Sequence, residues 1–334
     1  MIRLDADGLC EEALRRRPGS SFRDPIVVEG LRVLCDALAH DVQLHQAGRR
    51  LLQAELLRVL DQRLAAEQAA VFDLEIPPPP WPRLVIITGM PRTASTFFHS
   101  CVAEEPGVVT PRLSQMLYPM SVDVRTGGVP TSTLERVALE LSLAEKLSPM
   151  LRNTHPMSPS SPEECIHALQ ITMASEKFSF MLPVPYYDEW LDSQDPKPRY
   201  RQLRQLYSHL FTPWALTCDT IVVKAPTHAW WLDAVRSELG PRRLIAMRRH
   251  PDEVRSSFER LLVALRTVFC DTEGLPTQAA KDTKRWVRRW ETAVEEMGEA
   301  VWVDQRSASA WTPAALRGIV DGDAPPSGGH CGAP

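Results

Sequence analysis

Leu84-Val85-Ile86-Ile87-Thr88-Gly89-Met90-Pro91-Arg92-Thr93-Ala94-Ser95-Thr96 is the stretch on which the fold turns. Its first five residues form a short apolar run rich in β-branched side chains, which suits a strand buried on both faces of a parallel sheet. A loop of small and hydroxylated residues follows, and Phe97, Phe98 and Val102 then carry the pattern of a helix. Strand, small-residue loop and helix in that order present backbone N–H groups and a helix N-terminus to an anion. Taken alone, the same pattern also fits an ordinary strand–turn–helix junction.

Two further apolar runs lie downstream. Thr220-Ile221-Val222-Val223 ends at Lys224-Ala225-Pro226, and Leu244-Ile245-Ala246-Met247 ends at Arg248-Arg249-His250-Pro251. Helical patterns fit Tyr200 to about Leu216, Trp230–Leu239, 251–268 and 278–298. A weaker strand, Val301-Trp302-Val303, precedes a short helix near 313–320. Ser161-Pro162-Glu163-Glu164 reads as a helix start, with Ser161 as N-cap, Pro162 at the first helical position and Glu164 closing a capping box. Strands alternating with helices after residue 82 predict an α/β fold with a central parallel sheet flanked by helices.

Upstream, residues 1–27 read as an irregular lead-in. Leu31, Leu34, Cys35, Leu38 and Val42 then form one helical stripe, and Leu52, Leu56, Leu60 and Leu64 a second. Pro77-Pro78-Pro79-Pro80-Trp81-Pro82 excludes helix and central strand and marks a boundary. The expected organisation is an N-terminal helical extension over 1–75, an α/β domain over 76–322 and a disordered, Pro/Gly-rich tail over 323–334.

Composition narrows the function classes. The 334 residues are 44% hydrophobic and 24% charged, ordinary values for a globular protein. With 38 basic and 42 acidic residues the formal charge is −4, which argues against a nucleic-acid footprint over the whole surface but leaves room for a local basic pocket. Trp230, Trp231, Trp286 and Trp290 with Arg285, Arg288 and Arg289 read as an amphipathic helix with a charged outer face rather than as a nucleic-acid site. The seven scattered cysteines include no C-x-x-C, so neither a metal site nor a disulfide framework is expected and a reducing cytoplasm is the default. No signal peptide is read at the N-terminus, and no run approaches 18 apolar residues, so no membrane span is expected.

The loop is not a nucleotide-hydrolysing P-loop. Aligned from Gly89, the lysine position of G-x-x-x-x-G-K-[ST] holds Ser95, which disfavours an NTP kinase or hydrolase. It offers Arg92 and the hydroxyls of Thr93, Ser95 and Thr96 instead, a set suited to a tetrahedral oxyanion. Arg249 at the end of the third strand and a serine in the following helix, Ser256 or Ser257, can grip a second phosphate in the same crevice.

PRLVIITGMPRTASTFFHS resembles the 5′-phosphosulfate loop of sulfotransferases that use 3′-phosphoadenosine 5′-phosphosulfate (PAPS), most closely the bacterial branch with a P-R-T-G-T-T type loop. VVKAPTHAWWLDAVRSELGPRRLIAMRRHPDEVRSSFERL, from Val222 to Leu261, resembles that branch's K-[AS]-P-x-H and R-D-P-x-x-V-x-x-S segments, the latter its 3′-phosphate site. His155-Pro156 and Pro162-Glu163-Glu164-Cys165 also match. The resemblance covers about residues 25–320. It implies a P-loop-like three-layer fold and a transferase moving a sulfuryl group from PAPS, as co-substrate and without metal, to a hydroxyl or amine of a small-molecule acceptor, a secondary metabolite among the candidates. It implies donor contacts at Arg92, Thr93, Ala94, Ser95, Thr96, Phe97, Arg249 and Ser257, with Lys224 near the transferring group.

Departures from the family pattern bear on activity. Ala94 replaces the loop glycine, and His250 replaces the usual aspartate. Gln115 stands where a glutamate often serves as base, and Pro226 fills the slot of the K-x-H histidine. The chain also ends soon after Ile319, where relatives continue. These departures keep open a catalytically impaired relative that binds PAPS or its bisphosphate product. The candidate bases are His228 first, then His155, then His99. Gln115 can orient an acceptor but takes no proton, and Glu163 and Glu164 are assigned to helix capping. Nothing in the sequence sets the oligomeric state.

Overall fold

A computed structural model describes residues 4–73, 83–214, 217–298, 300–306 and 311–322. The polyproline boundary and the tail over 323–334 lie outside the described residues. The chain opens with three helices, α1 (Ala6–Arg16), α2 (Pro25–Asp41) and α3 (Gln46–Gln68). The first corrects the expected lead-in over 1–27: Asp5 caps α1 by accepting from Gly8 N–H, and Leu9 and Ala13 put its apolar side into the core. Both expected leucine stripes are buried, save Val42 just past the end of α2.

Strand β1 (Arg83–Gly89) leads through the loop into α4 (Ser95–Val102), and a two-residue β2 (Val108–Val109) follows. A helical segment then intervenes: α5 (Leu113–Leu117), α6 (Thr131–Leu147), α7 (Leu151–Thr154), α8 (Ile166–Leu169), α9 (Glu176–Met181), α10 (Pro185–Ser193) and α11 (Lys197–Phe211). β3 (Thr220–Lys224), a short α12 (Leu232–Ala234), β4 (Arg243–Arg248), α13 (Pro251–Thr267), α14 (Leu275–Glu296), β5 (Val301–Asp304) and α15 (Pro313–Asp321) complete the order.

The five strands form one parallel sheet in the order β2-β3-β1-β4-β5. β1 is central, with Val85 opposite both Val222 and Arg243. Its apolar run is buried on both faces, as a strand inside a helix-covered parallel sheet must be. Ile86 and Val223 face a core with Trp286 and Trp290 of α14, and Val85 and Ile87 face one with Phe98 of α4 and Ile319 of α15. The Trp/Arg run thus packs inward through its indoles, while Arg289 lies over the rings of Trp230 and Trp231 at 4.6 and 4.4 Å. α1–α3 share a third core with Phe178 of α9, Tyr187 of α10 and Ala264 of α13. Among the described residues no helix is long and apolar enough to cross a membrane.

The expected helix start at Ser161 is overturned. The helix begins at Ile166, and residues 161–164 are not helical. Leu113 N–H donates to Ser161 C=O at 3.0 Å, and Cys165 N–H donates to Lys224 C=O at 2.8 Å. Isolated bridges join Arg112 to Pro162 and Glu164 to Lys224. Pairing with the end of β3 outcompetes the local capping signal, and it delivers Glu163 and Glu164 to the carboxyl edge of the sheet.

Candidate active site

Ligands of open parallel sheets bind beyond the carboxyl ends of the strands, and here β1, β3 and β4 deliver Gly89, Lys224 and Arg248-Arg249 to that edge. Gly89 has φ +108°, and a Cβ there would lie 2.4 Å from Met247 O, so only glycine lets β1 turn against β4. The loop then takes Arg92 and Ala94 through the left-handed region, each at φ 63°. The conformation a glycine would adopt freely is therefore present at Ala94 without one, at a cost of roughly 1–2 kcal/mol. Thr93 is buried and donates its hydroxyl to Met90 C=O at 2.8 Å, closing the loop on itself.

Ala94 is the N-cap of α4 and brings no side-chain cap. The first N–H groups of that helix, which have no intrahelical acceptor, stay available to an anion. Cations surround them. Lys224 Nζ donates to Thr96 Oγ1 at 3.0 Å and to Glu164 Oε1 at 2.8 Å. Arg92 Nε donates to Ser257 Oγ at 3.0 Å and its Nη1 to Thr154 C=O at 2.9 Å. Arg249 Nη1 donates to the Arg92 carbonyl at 3.1 Å, and its Nε pairs with Glu253 at 2.6 Å. Burial, then the neighbouring Arg249 and Arg260, lower the pKa of Arg92. Phe97 is 56% exposed and stacks on Trp311 at 5.8 Å between centroids.

A buried carboxylate with two histidines adjoins Glu164, whose N–H donates to Glu163 Oε2 at 3.1 Å. Glu163 holds His155 Nε2 at 3.2 Å and approaches His167 Nε2 at 3.7 Å. Burial opposes its ionisation, yet the two histidines hold its carboxyl well below the ordinary range. Burial would lower His155, but Glu163, reinforced by Glu164, raises it above its usual 6.5. His167 moves the other way, because burial and Lys177 outweigh its carboxylate.

The other sequence candidates lie elsewhere. His228 is fully buried, with Nδ1 2.9 Å from the Tyr200 hydroxyl, and burial followed by Arg199 lowers it to about 3. His99 is also fully buried, faces Val222 C=O at 3.4 Å and is lowered to about 3, by burial first and then Lys224. Gln115 uses both ends of its amide, accepting from Arg112 N–H at 2.8 Å and donating to Gly127 C=O at 2.7 Å. The structure thus joins Arg92, Ser257 and Arg249 in one cluster and Thr96, Lys224 and Glu164 in another, with His155 beside the second. His228, His99 and Gln115 stand apart in the packing. A cavity of about 250 Å³ opens at the loop, lined there by Arg92, Ser95, Thr96, His155 and Glu164.

A parallel sheet whose central strand runs into a helix N-terminus without a side-chain cap, with Arg92 and Lys224 beside it, defines an α/β protein with a cationic carboxyl edge. A model of the sulfotransferase family matches residues 82–305, which spans this whole edge of the sheet. The chain belongs to the sulfotransferase family. Among solved structures it is similar to sulfotransferase STF9 from Mycobacterium avium, at 20% identity and a TM-score of 0.71, covering 94% of this chain and 82% of that one. It is also similar to sulfotransferase STF1 from Mycobacterium tuberculosis H37Rv, at 22% identity and a TM-score of 0.69, covering 95% and 89%. At these identities the likeness speaks for the fold. No curated protein matches the chain.

Proposed function

We propose that this chain moves a sulfuryl group from PAPS to a hydroxyl or amine of a small-molecule acceptor. The observation that carries the reading is the Thr96–Lys224–Glu164 set at the uncapped start of α4, with Lys224 Nζ 3.0 Å from the hydroxyl and 2.8 Å from the carboxylate. Sulfuryl transfer needs donors aimed at the departing oxygen and an acceptor for the nucleophile's proton, and this set offers both.

When bound, PAPS supplies a sulfuryl group whose sulfur gains the acceptor oxygen or nitrogen while the S–O bond to the 5′-phosphate breaks and its electron pair leaves with the nucleotide. Arg92, the α4 N–H groups and the hydroxyls of Ser95 and Thr96 would hold the 5′-phosphosulfate. Arg249 and Ser257 would take the 3′-phosphate, and Phe97 would stack on the adenine with Trp311 behind it. Thr93 and Ala94 shape the loop. Lys224 would neutralise charge on the departing oxygen. Glu164, at the cavity mouth, would receive the acceptor's proton in place of His228, His99 or Gln115, with the His155–Glu163 pair fixing its position. This carboxylate weighs against an impaired relative, the reading that Gln115 and Pro226 suggest. Six free thiols among the described residues suit a reducing cytoplasm.

Calorimetric titration with the 3′,5′-bisphosphate product tests the donor assignment. Arg92→Ala and Arg249→Ala should each remove a charge-assisted contact worth roughly 1.5–3 kcal/mol, or about 10- to 150-fold in affinity. Unchanged affinity in both variants would sink the reading.

A further inference from the structure

The cavity that opens at the loop continues well past it, and its walls change character. From α6 come Val137, Leu141 and Ala144, at i, i+4 and i+7; from α13 come Phe258, Leu261 and Leu265. Leu51 and Ala54 of α3 line it as well. An apolar helical stripe normally packs against protein. On α6 Val137 packs with Leu113, Leu117 and Tyr118, but Leu141 and Ala144 are only part-buried, so protein covers the stripe incompletely and the rest of it lines the cavity. At about 250 Å³ the space exceeds the roughly 150 Å³ of a cavity that takes up benzene.

The charged side chains lining the cavity away from the loop have partners within the protein. Glu55 accepts from Arg58 at 2.7 Å, Gln170 at 3.0 Å and Lys177 at 3.1 Å. Glu140 accepts from the Tyr118 hydroxyl at 2.6 Å and lies 3.5 Å from Arg136. A second hydroxyl buried along these walls would lose water and find mostly carbon. The polar end is the loop end, where Glu164 and His155 stand beside Arg92.

We propose that the acceptor is a predominantly apolar molecule bearing one hydroxyl or amine, its body held between α6 and α13 and its polar group set against Glu164. This names the acceptor class for the sulfotransfer reading and rests on it. The acceptor's oxygen or nitrogen gains the sulfur, its proton passes to Glu164, and the electron pair of the broken S–O bond stays on the nucleotide.

The test has two arms on the full chain. In the first, 1-alkanols from butanol to decanol are titrated by calorimetry without donor. Affinity should rise about three- to fourfold per methylene until the cavity is filled. Ala144→Phe, which fills the cavity from α6, should weaken 1-decanol at least tenfold. Ser142→Phe, on the exposed side of the same helix, should leave it unchanged, and matching melting curves would establish that both variants fold. Affinity independent of chain length, or undiminished in Ala144→Phe, overturns the proposal. In the second arm, PAPS is added and bisphosphate formation is followed. Turnover rising with alkanol length supports both readings. Turnover driven by glucose as well as by 1-decanol overturns the acceptor class and leaves sulfotransfer standing. Alkanols that bind as expected but never yield bisphosphate support the ligand class and remove the sulfotransfer reading.

Discussion

Glu164 carries two demands at once, as counter-ion to Lys224 at 2.8 Å and as the proposed seat of the acceptor's proton. The two roles separate on substitution. Glu164→Gln keeps a hydrogen-bonding side chain beside Lys224 but removes both the negative charge and the basicity. The rate of sulfotransfer should fall about 10²–10⁴-fold. Affinity for the bisphosphate should hold or tighten, since a nearby anion that opposed the nucleotide is gone. Single-turnover kinetics beside calorimetry reads both quantities, and a loss of nucleotide affinity with the rate unchanged would return Glu164 to a structural role. Ala94 poses a simpler question. It holds φ 63° as the N-cap of α4, where glycine pays no Cβ penalty. Ala94→Gly should therefore raise the unfolding free energy by roughly 0.5–1 kcal/mol, after allowance for glycine's freer unfolded chain, as measured by urea denaturation.

The segment from Ser161 to Glu164 shapes the proposed site, because Glu164 bridges to the end of β3 and Glu163 lays a buried carboxylate between two histidines. Glu163→Gln removes the charge from the centre of that arrangement. Breaking a buried pair by losing one partner costs about 3–5 kcal/mol. The pH dependence has a definite sign. His155 is raised above 6.5 in the folded state, so its contribution is fully present below that value, down to where Glu163 itself takes a proton. It is lost as pH rises through the raised value, so the gap between wild type and variant should be widest near pH 6 and should narrow in alkali. Equilibrium unfolding at several pH values reads it, and a gap that widens with alkali would contradict the pairing. This segment is also where the sequence misled. The strand-loop-helix at Leu84–Thr96, the strand ends at Lys224 and Arg249, and the two leucine stripes were legible because each depends on contiguous residues. Glu164 was not. Ser-Pro-Glu-Glu is a sound local signal for a helix start, and only its bridge to Lys224, 60 residues away, overrides it. Gln115 was misleading for the same reason: its place in sequence suggested the acceptor, while its amide is engaged with Arg112 and Gly127.

Across the whole molecule, a formal charge of −4 coexists with a cationic edge because the cations that matter sit at the ends of three adjacent strands. The N-terminal helices are part of the same construction: α3 shares a core with α13, which also brings Ser257 to Arg92 and walls the cavity. Stability and site are therefore linked through packing, and His228 offers a way to read that link. It is buried against Tyr200 and lowered to about 3, whereas the unfolded chain takes up its proton near 6.5. Between those values the unfolded state binds one more proton than the folded state, so the stability that neutral His228 contributes above 6.5 is lost as pH falls toward 3. His228→Gln keeps a partner for the Tyr200 hydroxyl and cannot be protonated. From pH 6 to pH 4 the wild type should lose stability relative to this variant by about 1.4 kcal/mol per pH unit, read from urea unfolding of the two proteins side by side. Parallel curves would mean that His228 is already protonated in the folded chain, in contact with water or a carboxylate. That result would return it to the front of the candidates for the catalytic base, ahead of Glu164.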